Sequence, residues 1–186
     1  SADVDGIRNV AVGFHAGQVQ NDADDNVWVG YQSGLSCTTG GGNTGIGKDA
    51  LRANTTASNN VAVGAYALNA ATTANNNTTV GYYSLGATTT GAGNTAVGRK
   101  ALHDNTTADN NTAVGNEALR RNTTGTQNVV VGALALDANT TGSFNTALGY
   151  QGLGANTSGE NNVAVGYHAL LANTTGEKNI SVGANS

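Results

Sequence analysis

The sequence predicts an all-β fold, a parallel β-solenoid of about eleven 17-residue coils. Three observations carry this. An asparagine recurs at Asn9, Asn26, Asn43, Asn60, Asn77, Asn94, Asn111, Asn128, Asn145, Asn162 and Asn179, at a constant 17-residue interval with no insertion or deletion. A glycine stands four places after every one, from Gly13 to Gly183. Between them, the first and third intervening places carry β-branched residues almost without exception. Self-similarity at a fixed short period is the mark of a stacked repeat, in which each unit buries its apolar side only against its neighbours. The phase runs the length of the chain, so residues 1–186 read as one repeat domain.

With the asparagine as position 1, position 2 is Val, Ile or Thr and position 4 is Val, Ile or, once, Leu148. β-branched residues at alternate places describe a short strand with one buried face. Position 3 is usually Ala, small enough to let another layer or chain approach the second face. Positions 6–11 read Arg99-Lys-Ala-Leu-His-Asp or Asn116-Glu-Ala-Leu-Arg-Arg. Ala and Leu among long polar side chains favour a helical turn over a second strand. Leucine at position 9 runs from Leu51 to Leu170, and should point inward and stack. Gly17 and Gly34 take its place in the first two coils, which predicts looser packing there. Positions 12–15 read Asn-Thr-Thr-Gly in later coils, as at Asn122–Gly125. Asn tolerates the left-handed conformation that closes a helical turn, and Thr-Thr-Gly makes the corner to the next coil. Strands stacked about 4.8 Å apart give a rod of roughly 50 Å. The position 1 asparagines should bond to their equivalents above and below as a structural ladder. The position 5 glycine marks a backbone conformation or a close approach that a side chain would block.

Composition excludes several classes of function. Apolar content is 38%, much of it alanine, and charged residues are 11%, well under the roughly 25% of an average soluble domain. A net charge of −4 offers no basic footprint for nucleic acid. No apolar run approaches the ~20 residues that cross a bilayer, and no secretion signal is recognisable. Cys37 is the single cysteine, so no internal disulfide or thiol metal site is expected. Proline is absent, which suits unbroken strand ladders. No nucleophile–base pair, phosphate loop or dinucleotide fingerprint is present. One environment made eleven times points away from an enzyme, and no cofactor is implied. No polar capping coil is recognisable at either end. Uncapped strand edges invite pairing, so the expectation is a piece of a longer fibre or subunits stacking head to tail into a filament.

The strand unit, seen as Asn60-Val-Ala-Val-Gly, Asn94-Thr-Ala-Val-Gly and Asn162-Val-Ala-Val-Gly, resembles the head repeats of trimeric autotransporter adhesins and similar repeats of phage tail fibres. The resemblance covers five positions of each 17-residue repeat. It implies a parallel β-roll, a homotrimer whose inner strands face a shared axis, an extracellular or virion location, and binding to host-surface proteins or glycans. The repeat here is longer than the family's usual unit of 14 or so, and the Ala-Leu turn and Asn-Thr-Thr-Gly corner lie outside the family pattern.

Several constellations compete with structural explanations. His15, His103 and His168 sit on separated coils and read as isolated surface histidines. Asp5, Asp22, Asp24 and Asp25 cluster near the first corners, where stacked carboxylates can hold Ca²⁺, but no calcium-loop spacing is present and solvated charge is the preferred reading. Tyr31, Tyr82, Tyr150 and Tyr167 share position 6, beside Tyr66 and Tyr83 at position 7. They read as cover for the edge of the core, with platforms for sugar rings as the alternative. Threonine at position 13, from Thr38 to Thr174, suggests the flat arrays of ice-binding proteins. The threonines are adjacent in a corner and not alternate along a strand, so ice is the alternative ligand and fibre formation the main reading. Asn54, Asn105, Asn122, Asn139, Asn156 and Asn173 fit Asn-x-Ser/Thr and form a line of candidate glycan acceptors. Corner chemistry explains the same residues without a glycan.

Overall fold

The computed structural model describes residues 6–186. Eleven three-residue strands, β1 (Val10–Val12) through β8 (Val129–Val131) to β11 (Ile180–Val182), form one sheet in sequence order. Every pair is parallel, and each strand meets the equivalent strand of the next repeat, as in Thr95↔Thr112 and Val97↔Val114. The chain is therefore a β-solenoid whose coil is the 17-residue repeat.

The strand faces lie opposite to the sequence expectation. Position 3 points inward and is fully buried from Trp28 to Ala164. Positions 2 and 4, the β-branched ones, point outward. Parity supplies the reason. Side chains alternate along a strand, and the position 1 asparagine must lie inside to reach the corner backbone. Position 3 then goes inside with it, and positions 2 and 4 cannot.

Positions 6–11 do not form a helical turn, and no helix occurs among the described residues. Positions 7 and 9 are left-handed, as at Lys100 (φ 55°) and Leu102 (φ 51°). A left-handed L-residue costs roughly 1–2 kcal/mol, enough to outweigh the few tenths per residue by which Ala and Leu favour a helix. Two gains offset that cost. The amides turn to neighbouring coils, Lys100 N–H to the Tyr82 carbonyl at 2.9 Å and Leu102 N–H to the Ala118 carbonyl at 3.0 Å. The Leu102 side chain is fully buried, as are its equivalents from Leu51 to Leu153. Within the coil only tight turns remain, with Ala101 N–H to Gly98 carbonyl and Asn105 N–H to Leu102 carbonyl. The third left-handed position with a side chain is 17, as at Asn110 (φ 58°), and not the corner asparagine at position 12.

The second coil is not loosely packed, although β1 of the first is exposed along its whole length. Trp28 is fully buried at position 3 and fills the space that leucine takes elsewhere. A Cβ on Gly34 would lie 2.3 Å from the Trp28 indole, and one on Gly17 would lie 2.7 Å from it. Indole and leucine exclude each other, so the two glycines are the counterpart of the tryptophan. Thr79 and Ser84 show the same pairing of positions 3 and 8 in polar form, with their hydroxyls bonded to each other inside the coil.

Candidate interaction surface

Two columns of amides run through the interior. In the first, the position 1 asparagines are fully buried from Asn26 to Asn162. Asn111 shows the pattern: its Oδ1 accepts the Asn128 backbone N–H at 3.0 Å and the Asn128 side-chain amide at 3.1 Å. Its Nδ2 donates to the Gly125 carbonyl at 2.9 Å. The expected ladder is thus a hydrogen-bonded column that also fixes the corner.

The second column is position 12, which sequence reasoning left as corner residues or glycan acceptors. Asn54, Asn105, Asn122, Asn139 and Asn156 are fully buried, and Asn173 is half-buried. Asn139 Nδ2 donates to Asn122 Oδ1 at 2.9 Å and to the Gly142 carbonyl at 2.9 Å. The same two bonds recur at Asn156 and Asn173. A glycan needs that nitrogen, so on the folded chain these asparagines are engaged in the column. The signal in the sequence was the unbroken recurrence of Asn at the repeat spacing from Asn105 to Asn173, the same kind of signal that identified position 1.

Cys37, Ala71 and Thr88 interrupt this second column. Burial pushes the Cys37 thiol up to about 11, and its Sγ is a weak partner for Asn54 Nδ2 at 3.7 Å. Gly40, three residues on, offers the carbonyl that an asparagine at position 12 would use, and it already accepts from Cys37 Sγ at 3.3 Å. Cys37→Asn is therefore expected to raise stability by about 1 kcal/mol, the worth of one net hydrogen bond. Chemical denaturation against the parent chain checks this, and an unchanged or lowered midpoint would count against a functional second column.

The threonines of position 13 also turn their polar atoms to the stack. Thr106 Oγ1 donates to the Thr123 carbonyl, Thr123 Oγ1 to Thr140 and Thr140 Oγ1 to Thr157, at 2.9–3.3 Å. These hydroxyls serve coil-to-coil bonding and do not present a free array. The remaining candidates stand apart. Asp24 accepts the Ile7 N–H at 2.7 Å and Asp25 pairs with Arg8, while Asp5 lies outside the described residues. No cluster of three or more metal-ligating side chains occurs among the described residues. His103 meets Asp104 at 2.6 Å, and the three histidines share no site. The position 6 tyrosines stand half in solvent, and Tyr150 stacks on Tyr167 with centroids 5.7 Å apart.

What remains is the outward face of the sheet. Positions 2 and 4 carry only Val, Thr, Ile and Leu, with no charge in any coil. Val129 is 44% exposed and Val131 42%. Except for Ile7, Val19 and Phe144, every exposed large apolar side chain among the described residues sits at position 2, 4 or 6. Eleven strands at about 4.8 Å spacing, with borders at positions 17 and 6, give a face of roughly 50 by 15 Å, or ~750 Å². Position 2 is threonine in five of the eleven strands and the borders carry polar and charged residues, so the apolar part is smaller than this whole. The face is close to the ~800 Å² that each partner buries in a stable complex. Comparison with protein-family models, curated proteins and solved structures gave no match.

Proposed function

We propose that this chain is a structural, non-enzymatic segment of an extracellular fibre, a surface adhesin or tail fibre, that associates side by side with further copies of itself. The observation that carries this reading is the uncharged β-branched face along the whole rod. Such a face is costly in water and self-complementary by its regularity. The resemblance of the Asn-Thr-Ala-Val-Gly unit to adhesin head repeats supports the same reading. Receptor contact, to a host-surface protein or glycan, falls to the turns that association leaves open.

The test is particle mass by light scattering for the parent and for Val129→Lys/Val131→Lys. Burying even one unpaired ammonium costs several kcal/mol, so the double variant should associate at least about a hundredfold more weakly. Its far-UV spectrum should match the parent, because both side chains point away from the core. Unchanged association of the variant would remove the strand face as the interface. A parent chain that stays monomeric at all concentrations would overturn the fibre reading and leave the ligand-binding solenoid, with ice as first ligand.

A further inference from the structure

Four of the six tyrosines form two pairs of one kind. Tyr66 and Tyr83 stand at position 7 of successive coils, and Tyr150 and Tyr167 at position 6 of two others. The first pair is stacked with ring centroids 4.6 Å apart and planes 9° from parallel. The second is stacked at 5.7 Å and 12°. The coils of each pair are in parallel register, so equivalent side chains differ mainly by a shift along the rod. That shift sets each ring atom opposite its own counterpart, ortho carbon facing ortho carbon. The coil itself does not demand these rings. Position 7 is Gln32, Asp49, Lys100 or Glu117 elsewhere, and position 6 is Ala65, Arg99 or Asn116. Both pairs are open to small reagents, since Tyr150 is 43% exposed and Tyr167 51%, and Tyr66 and Tyr83 are half-buried.

The other two tyrosines are placed differently. Tyr82 meets Tyr66 and Tyr83 at 88° and 85°, which turns a ring edge against a ring face. Tyr31 stacks on Phe14. Lys48 stands between it and Tyr66, with the ammonium 5.9 Å from one ring centre and 5.1 Å from the other.

We propose that Tyr66–Tyr83 and Tyr150–Tyr167 are sites of oxidative modification, each pair joining into a dityrosine that staples one coil to the next. The co-reactant is a peroxide acting through a haem peroxidase. Each phenol gives up one electron and one proton, and the two phenoxyl radicals form a carbon–carbon bond between their ortho carbons. Each of those carbons then passes its hydrogen to its own ring oxygen, which restores both aromatic rings and both hydroxyls. The pair has lost two hydrogens, and these reduce one peroxide to two waters. The stacked coils hold the partners together before the radicals form, so coupling within a pair outruns encounter with another chain. Each link closes a loop one coil long and so restricts the unfolded chain. Both partners belong to one chain, so the inference does not rest on the side-by-side reading above.

The experiment treats the dilute protein with a haem peroxidase and hydrogen peroxide, with N-acetyltyrosine amide oxidised in parallel to show that the oxidant is competent. Dityrosine fluorescence, intact mass and peptide mapping are read. The expected product runs as a single chain on a denaturing gel, is lighter by two hydrogens per link, and carries links that map to the two pairs. Because coupling is confined to partners already in place, Tyr83→Phe or Tyr167→Phe should each remove about half of the fluorescence, and the double variant nearly all of it. Tyr31→Phe should remove none. Oxidation should raise the denaturation midpoint of the parent and leave that of the double variant unchanged. Links that map to Tyr82, or that join only separate chains, would overturn the assignment. So would a protein without dityrosine under conditions in which the free tyrosine derivative couples.

Discussion

Gly98→Ala is expected to destabilise the solenoid by at least about 3 kcal/mol. The position 5 glycines all have φ between 126° and 144°, a region closed to residues with a Cβ. Strain is only part of the cost. A Cβ on Gly98 would lie 2.3 Å from the Gly115 carbonyl oxygen and 2.6 Å from its carbon. That obstacle is the backbone of the next coil, held by its own bonds above and below, and it cannot move aside. Gly42→Ala is the control. Its φ is also positive, at 69°, but its new Cβ would meet the Asn59 amide oxygen, the far end of a side chain. Position 17 accepts other residues elsewhere in the chain, so that variant should lose no more than about 1 kcal/mol. Stability in a repeat array is a sum of coil and interface contributions. Denaturation should therefore show the Gly98 lesion as a lowered or split transition, and hydrogen exchange should place the weak point at the coils flanking Gly98. Equal losses in the two variants would mean that φ alone, and not coil-to-coil contact, demands glycine.

Asn111→Ala is the second large effect, expected at about 3–5 kcal/mol. Truncation orphans the buried Asn128 backbone N–H and takes one bond each from the Asn128 side-chain amide, which keeps the Gly142 carbonyl, and from the Gly125 carbonyl, which keeps Asn122 Nδ2. The orphaned N–H costs ~1–3 kcal/mol and each of the other lost bonds ~0.5–1.5 kcal/mol, and the small void adds to it. Asn111→Asp separates the components. A carboxylate can still accept from Asn128, but it cannot donate to Gly125 and would be an unpaired buried charge. Its loss should grow as pH rises and the group ionises, which the alanine variant should not show. Thermal or chemical denaturation at two pH values reads this directly. An alanine variant within about 1 kcal/mol of the parent would mean that the column is a consequence of the fold and not a cause of it.

The period, the parallel order of the strands and the position 1 ladder were legible because identity at fixed spacing admits few other meanings. The inward and outward sides of the strand were not. Val10, Val61 and Val163 look like core residues by type, while Ala62, Ala96 and Ala113 look like surface or spacer. The deciding residue was the asparagine, whose need for buried carbonyl partners fixes the parity of the whole strand. Once Asn94 is placed inside, Ala96 follows and Thr95 and Val97 turn out. The Ala-Leu stretch misled for a related reason. Helix propensity describes a chain bonding to itself, whereas Leu102 and Lys100 bond to the coils on either side. Gly17 and Gly34 suggest weakness by type, although with Trp28 they form one packing solution spread over neighbouring coils. The outward β-branched face was not legible because Val and Ile look like core residues by type.

The interior columns also restrict how such a chain can change length. Asn occupies its place at position 1 in every coil, Leu and Thr occupy theirs in most, and each is bonded or packed to its counterparts one coil away. A single residue inserted between a position 1 asparagine and its position 3 side chain would set the two on opposite faces of that strand, and one inserted in a turn would have to bulge out of the stack. A whole inserted or deleted coil would disturb nothing but the local neighbours wherever position 9 is leucine on both sides; the Trp28 coil, which needs Gly17 and Gly34 beside its indole, is the exception. Unequal exchange between repeats in the gene is thus the tolerated route, and it preserves both the amide columns and the apolar face. Rod length can drift freely from one lineage to another, in steps of about 4.8 Å, while the cross-section stays fixed.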